Sequence, residues 1–285
     1  MLTILIITFT ILIAAAYTDL RTLEVPDWLN YAGIATGLGI HLIVSTQEWI
    51  LWPIISSALG LLAGFLIACL MFYTGQWGGG DAKLLMAVGA LLGVEANKFA
   101  LSTSFIINLV FVGGAWVLAY AIFLAVKNRK KMLKTYRAIA RHTPYKRLRK
   151  STIITTLCLI IASFIFPQAR DQIILLAALC YLLGLLTLFM KTVELAALHQ
   201  WVTPDKLTEG DWIVHAIQIG NTKIDPPRLG LEKKELKQLQ NWHNAKKIKH
   251  VLVRYGVPFT PAFLLSFITS LTLGNIVLAA MPLIF

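Results

Sequence analysis

Charge is what this sequence has least of. Only 14% of its 285 residues are Asp, Glu, Lys or Arg, against 57% apolar residues and a mean hydropathy of +0.71. A soluble domain carries about 25% charged residues, so a wholly water-soluble chain is excluded and a polytopic membrane protein is expected. Cysteine is nearly as scarce. Cys69, Cys158 and Cys180 lie far apart inside apolar runs without CxxC spacing, which argues against a disulfide framework or a zinc site and leaves buried thiols as the expectation. The basic n-region of a secretory signal is missing from "MLTILIITFTILIAAAY", and no A-x-A-like site follows it. The first helix is therefore expected to stay. No G-x-S-x-G occurs, and of six histidines only His41 falls inside an apolar run. A serine intramembrane protease would need both features, so that class is set aside. Internal repeats and low-complexity tracts are absent as well.

What is present is a series of apolar runs. Roughly 20 apolar residues cross the hydrocarbon of a bilayer, and eight runs approach that length: 2–17, 29–45, 50–74, 82–94, 99–126, 152–167, 172–190 and 257–283. The fourth is too short to span alone in lipid and needs neighbouring helices around it, or a re-entrant path. An outer N-terminus would put segments 18–28, 75–83, 127–151 and 191–256 on the cytosolic side. That arrangement places 24 of the 26 Lys and Arg residues inside, as the positive-inside rule requires.

Two inner segments stand out. Residues 127–151, "KNRKKMLKTYRAIARHTPYKRLRKS", hold eleven basic residues and no acid, and read as a basic cytosolic loop. Such a stretch attracts anionic membrane lipids at about 1 kcal/mol per cation; nucleic-acid binding is not expected. Residues 191–256 read as a small cytosolic subdomain. There "LTEGDWIVHAIQIG" suggests strands, and "LGLEKKELKQLQNWHNAKK" suggests an amphipathic helix with Leu236 and Leu239 on one side together with Trp242 or His243. The fold class is thus all-α, about eight transmembrane helices with a small cytosolic α+β insertion before the last. A membrane domain that holds Asp19 and Asp81 is expected at 1–126, further transmembrane helices at 152–190 and the last helix at 257–285.

Within this apolar chain the stretch "FYTGQWGGGDAK", residues 72–83, needs a reason. Glycine weakens a helix and an ionised carboxylate is costly at a membrane. Half of the fourteen acids lie in 191–256, and Glu48, Glu95 and Asp171 lie in outer connections. Asp19, Glu24, Asp27 and Asp81 remain. Asp19 closes the first apolar run and Asp81 opens the fourth, both at the cytosolic edge. Two carboxylates at one depth can share a proton, one acting as a base that activates water and the other as an acid that polarises a carbonyl. The plainer alternative makes Asp81 a helix N-cap and Asp19 a surface acid.

The residues also carry a resemblance. "DLRTLEVPDWL" (19–29) resembles the D-x6-P-[ND] segment of prepilin peptidases, and "GGGDAKLLMAVGALLG" (78–93) is similar to their GxGD segment and the helix after it. Together they cover about 30 residues, in the family's order. The resemblance implies an aspartic intramembrane endopeptidase with Asp19 and Asp81 as its catalytic pair and Gly78 and Gly80 as the motif glycines, which let backbone and substrate approach Asp81. No cofactor and no metal is implied. No cysteine-rich region is present, and "KLTEGDW", "GLEKKELKQL" and "VRYGVPFTPAF" resemble the archaeal prepilin and preflagellin (archaellin) peptidases, for which methylation of the new terminus is not expected. Asp27 stands where Asn is common after the proline.

By this resemblance the partner is a pilin-like or archaellin precursor with a class III signal peptide, cut at the cytosolic face of the cell membrane. Glu24 and Asp27 are candidate contacts for the leader's basic residues, and Lys83 a positional residue pairing with an acid or a headgroup. Two alternatives remain open. A protease of the presenilin and signal-peptide-peptidase type also uses GxGD, but with its aspartates in later, adjacent helices. A transporter or channel also uses intramembrane acids.

Overall fold

The computed structural model describes residues 2–95, 100–220, 222–227 and 230–284. Lys98, one of the two basic residues that the charge distribution leaves on the outer side, lies outside them. The helices are α1 (Leu2–Thr22), α2 (Asp27–Glu48), α3 (Trp52–Tyr73), α4 (Gly79–Leu92), α5 (Leu101–Lys127), α6 (Arg129–Arg141), α7 (Thr143–Ile165), α8 (Arg170–Val193), α9 (Lys233–Asn244), α10 (Thr260–Thr272) and α11 (Ile276–Ile284). Among the described residues five helical segments are long and apolar enough to cross a membrane: Leu2–Thr22, Trp52–Tyr73, Leu101–Lys127, Thr143–Ile165 and Pro167–Leu198. At 22 residues α2 is long enough but less apolar, while α4 with 14 and α10 with 13 are short.

The short α4 survives because its neighbours enclose it. It packs between α2 and α3, with Leu84, Leu85, Ala87, Val88, Ala90 and Leu91 all buried. Small residues spaced by four permit that closeness. A Cβ added at Gly60 of α3 would overlap the Gly89 carbonyl oxygen of α4, one at Gly64 would lie 2.9 Å from the Leu85 oxygen, and one at Gly37 of α2 would lie 2.7 Å from the Ala90 carbonyl carbon. In lipid, helices gain little from hydrophobic exclusion, so backbone approach and interhelical hydrogen bonds carry the packing. Ser57 Oγ accordingly donates to the Ala90 carbonyl at 2.6 Å, and Ser56 Oγ to that of Val94 at 2.8 Å.

A second group is formed by α1, α10 and α5, with α10 in the middle. One apolar core joins both groups: Leu12 and Ala15 from α1, Leu85 and Val88 from α4, Phe105 from α5, Phe263 and Phe267 from α10. The run read as a single last span divides into α10 and α11. Gly274 takes a positive φ of 66° there, and the buried Asn108 of α5 clasps the break. Its Nδ2 donates to the Gly274 carbonyl at 2.8 Å and its Oδ1 accepts from the Ile276 N–H at 3.0 Å. The α7 and α8 helices pair with each other, and α6 leans on α8.

Residues 127–151 are helical rather than a loop. Arg129–Arg141 has neither Gly nor Pro, and Lys and Arg are good helix formers; Ile139 supplies a buried anchor. Pro144 then opens α7, in the first turn where proline is tolerated. Cys158 is exposed on α7, so it faces outward and is not the buried thiol expected.

The 191–256 segment folds as a small α+β unit. Strand β5 (Val251–Arg254) lies between β1 (His199–Val202) and β2 (Trp212–Ile213), antiparallel to both, while β3 (Ile217–Ile219) and β4 (Thr222–Ile224) form a separate hairpin. The amphipathic α9 buries Leu239 against Val251 and Val253, with Leu236 and Trp242 alongside. Its start is closed by a reciprocal capping box between Glu232 and Glu235.

Candidate active site

Asp19 occupies the last turn of α1 and is 5% exposed. A buried carboxylate requires donors, and the start of α10 supplies them. The Thr260 backbone N–H donates to Asp19 Oδ2 at 2.9 Å. The Thr260 hydroxyl lies 3.1 Å from both Asp19 Oδ2 and the Ala15 carbonyl oxygen, and donates to one of them at a time. The first turn of a helix has unpaired N–H groups and a positive dipole end, so the carboxylate closes the end of α10 while α10 orients the carboxylate. Asp19 is therefore not a surface acid. After it the chain turns sharply, with Leu23 at a φ of 58°, and this turn brings Val25 back into the core.

Asp81 is the third residue of α4, half-buried, and Gly78 rather than Asp81 takes the N-cap position. The positive φ of the preceding stretch falls at Gly75, at 70°, and not at the motif glycines. Gly78 and Gly80 serve space instead. Nothing approaches a Cβ at Gly78 within 4 Å, whereas one at Gly80 would lie 3.3 Å from the Val25 Cβ and backbone nitrogen. Gly80 is thus the point at which the chain after Asp19 meets the helix of Asp81. Trp77 seals the other side, its ring 5.4 Å from Phe259 and 5.5 Å from Phe263. The loop before Asp81 therefore packs on the same helix start that holds Asp19.

The two carboxylates lie within Coulombic range of each other. Asp27, the first residue of α2, pairs with Lys83 at 2.6 Å, and the Lys83 ammonium also lies 5.6 Å from the Tyr31 ring centre. Lys83 thus pairs with an acid as expected, and the Asp27 charge already has a partner. Glu24 is exposed in the loop after α1 and within Coulombic reach of Asp211 in the small α+β unit. The Asp211 carboxyl is pushed above the ordinary range chiefly by burial; the Thr208 hydrogen bonds oppose the shift and the Glu24 charge adds to it.

Two polar residues of the site escaped the sequence reading. Thr260 is one, and its only sequence signal is a threonine directly before a proline where an apolar run starts. Asn30 is the other. It is wholly buried, its Nδ2 lies 3.4 Å from the Gly80 carbonyl, at the weak end of hydrogen bonding, and its Oδ1 has no protein partner. Its sequence signal is an amide inside the apolar run 29–45. Among the described residues no group of three His, Cys, Asp or Glu is placed to hold a metal ion.

Comparison with known proteins bears on the same segment. Residues 6–125 match the type IV leader peptidase family. A preflagellin peptidase of Methanococcus voltae is 37% identical over 83 residues, which are 28% of this chain and 34% of that protein. The chain thus spans about a third of the length of that relative. No solved structure matches significantly. The resemblance carried by the two aspartate segments is borne out: both lie within residues 6–125, the stretch that matches the type IV leader peptidase family.

Proposed function

We propose that this chain is an aspartic intramembrane endopeptidase that removes the short basic leader of a pilin-like or archaellin precursor at the cytosolic membrane face. The observation that carries the reading is the convergence of Asp19 and Asp81 from the ends of two separately packed helices, α1 and α4. One carboxylate takes the proton of the attacking water while the other donates to the scissile carbonyl oxygen, and the roles reverse as the amine leaves. Thr260 orients Asp19, and the open space at Gly78 leaves room for the peptide. Glu24 is the better placed of the two candidate leader contacts, since Asp27 is paired with Lys83. The family match and the preflagellin peptidase likeness support the substrate class.

Co-expression with candidate precursors, in a host lacking such a peptidase, tests the reading through the new N-termini found by mass spectrometry. Appearance of the mature terminus is expected; its absence with every basic-leader precursor overturns the proposal.

The eight-span arrangement with an outer N-terminus belongs to the same proposal. Single cysteines at positions 135, 145 and 235 should react with an impermeant maleimide only from the cytosolic side, and those at 46 and 169 only from outside. Outside labelling at 145 would reverse the orientation and move the aspartates to the other face.

Gly80 provides a local test. Gly80→Val should slow cleavage by roughly a hundredfold, the order expected when a reacting group is misplaced by about 1 Å, because its methyls would push Val25 away. Gly80→Ala needs a shift of only a few tenths of an ångström and should lose less. Full activity in the valine variant would show that the approach of Val25 does not matter.

A further inference from the structure

A second assembly of charge and shape lies where α5, α6 and α8 meet, apart from the aspartates. Lys130, Lys134, Arg137 and Arg141 line one face of α6, at the spacing that makes helical residues neighbours. The surrounding segment 127–151 contains no acid, and none of these four cations takes part in an ion pair among the described residues. Like charges at this spacing repel one another. The stripe therefore favours a bound anion.

Beside the stripe, a cavity of about 450 Å³ opens between α6 and α8 at the end of α5. Met132, Leu133, Tyr136, Leu185, Leu188 and Phe189 line it, and Leu133 borders the basic stripe as well. Leu133, Tyr136 and Leu185 are 54%, 42% and 46% exposed. Apolar side chains are thus presented directly beside a row of cations, where an apolar span ends and a polar helix begins.

We propose that this junction binds one anionic phospholipid, with its phosphate on Lys130, Lys134 and Arg137 and a hydrocarbon tail in the cavity between α6 and α8. Charge complementarity selects the headgroup and the apolar cavity selects the tail. A nucleic acid would satisfy the cations but leave the cavity unused. The site rests on the membrane placement of 127–151 and not on the peptidase chemistry, so lipid retention and precursor cleavage succeed or fail separately.

Native mass spectrometry of the full chain, released from detergent in equal amounts of phosphatidylglycerol and phosphatidylcholine, reads the site directly. One phosphatidylglycerol should be retained in preference. The triple variant Lys130→Glu, Lys134→Glu, Arg137→Glu changes exposed positions and should weaken retention by about tenfold or more. Leu133→Trp with Leu185→Trp keeps the stripe but fills the cavity, and should also release the lipid. Glycerol phosphate, a headgroup without tails, should not compete. Equal retention of both lipids, or unchanged retention in the tryptophan variant, overturns the proposal. So does a short oligonucleotide that binds through the stripe and displaces the lipid. Circular dichroism of each variant separates lost binding from lost folding.

Discussion

Asp19→Asn and Asp81→Asn should each reduce precursor cleavage by on the order of a thousandfold or more, and the double variant should be little worse. Residues that act as one unit are strongly non-additive, because losing either member disables the step that both perform. The asparagine of the first variant can still accept from the Thr260 N–H, so the start of α10 stays covered and the variant should fold and bind precursor. Wild-type cleavage should follow a bell in pH. It falls on the acid side when the base carboxylate is protonated and on the alkaline side when the pair loses its shared proton. Each asparagine variant should lack the bell because it lacks the activity. Substantial cleavage by either folded single variant would make that aspartate a bystander and end the paired-carboxylate reading.

Gly60→Val is expected to fail differently, by destroying the helix pair that holds Asp81. Its Cβ would overlap the Gly89 carbonyl oxygen, a backbone atom that cannot turn aside. Overpacking of a close interface costs about 1–3 kcal/mol and more where backbone must move, and the separated helices would also forfeit the Ser57 bond to Ala90. Thermal unfolding of the detergent-solubilised variant should shift clearly downward, with cleavage lost in parallel. Gly114→Val is the control, since nothing lies within 4 Å of a Cβ there. Equal stability of the two variants would mean that α3 and α4 are not held by their glycines.

What the sequence revealed and what it hid divide along the distance between interacting residues. Apolar runs are local, and seven of the eight each became a single helix, while the last divided at Gly274. Leu236 and Leu239 share a face because helical periodicity is local too. The aspartates could be singled out because so few acids border the apolar runs. Thr260 was not, since its partner lies 241 positions away and no local pattern marks a threonine as a carboxylate's donor. Strands β1 and β5 were missed for the same reason: "HQWV" and "VLVR" are short, and only their mutual pairing makes them strands. The break at Gly274 follows from Asn108, in another helix. The dense charge of 127–151 reads as a loop, yet the thirteen residues of α6 contain no helix breaker and fold as a helix.

Ribosomes make α1 before α10, and the hydrogen bond between Thr260 and Asp19 turns that order into a delay. At about 5–20 residues per second, roughly ten to fifty seconds separate the two ends of the bond. For the later half of that interval both carboxylates and the whole of residues 6–125 already exist, while the N–H that orients Asp19 does not. On the proposed peptidase reading, a copy that has not yet made α10 lacks the donor that orients its Asp19. In that reading α10 acts as a late key, and cleavage of neighbouring precursors waits for the Thr260 N–H.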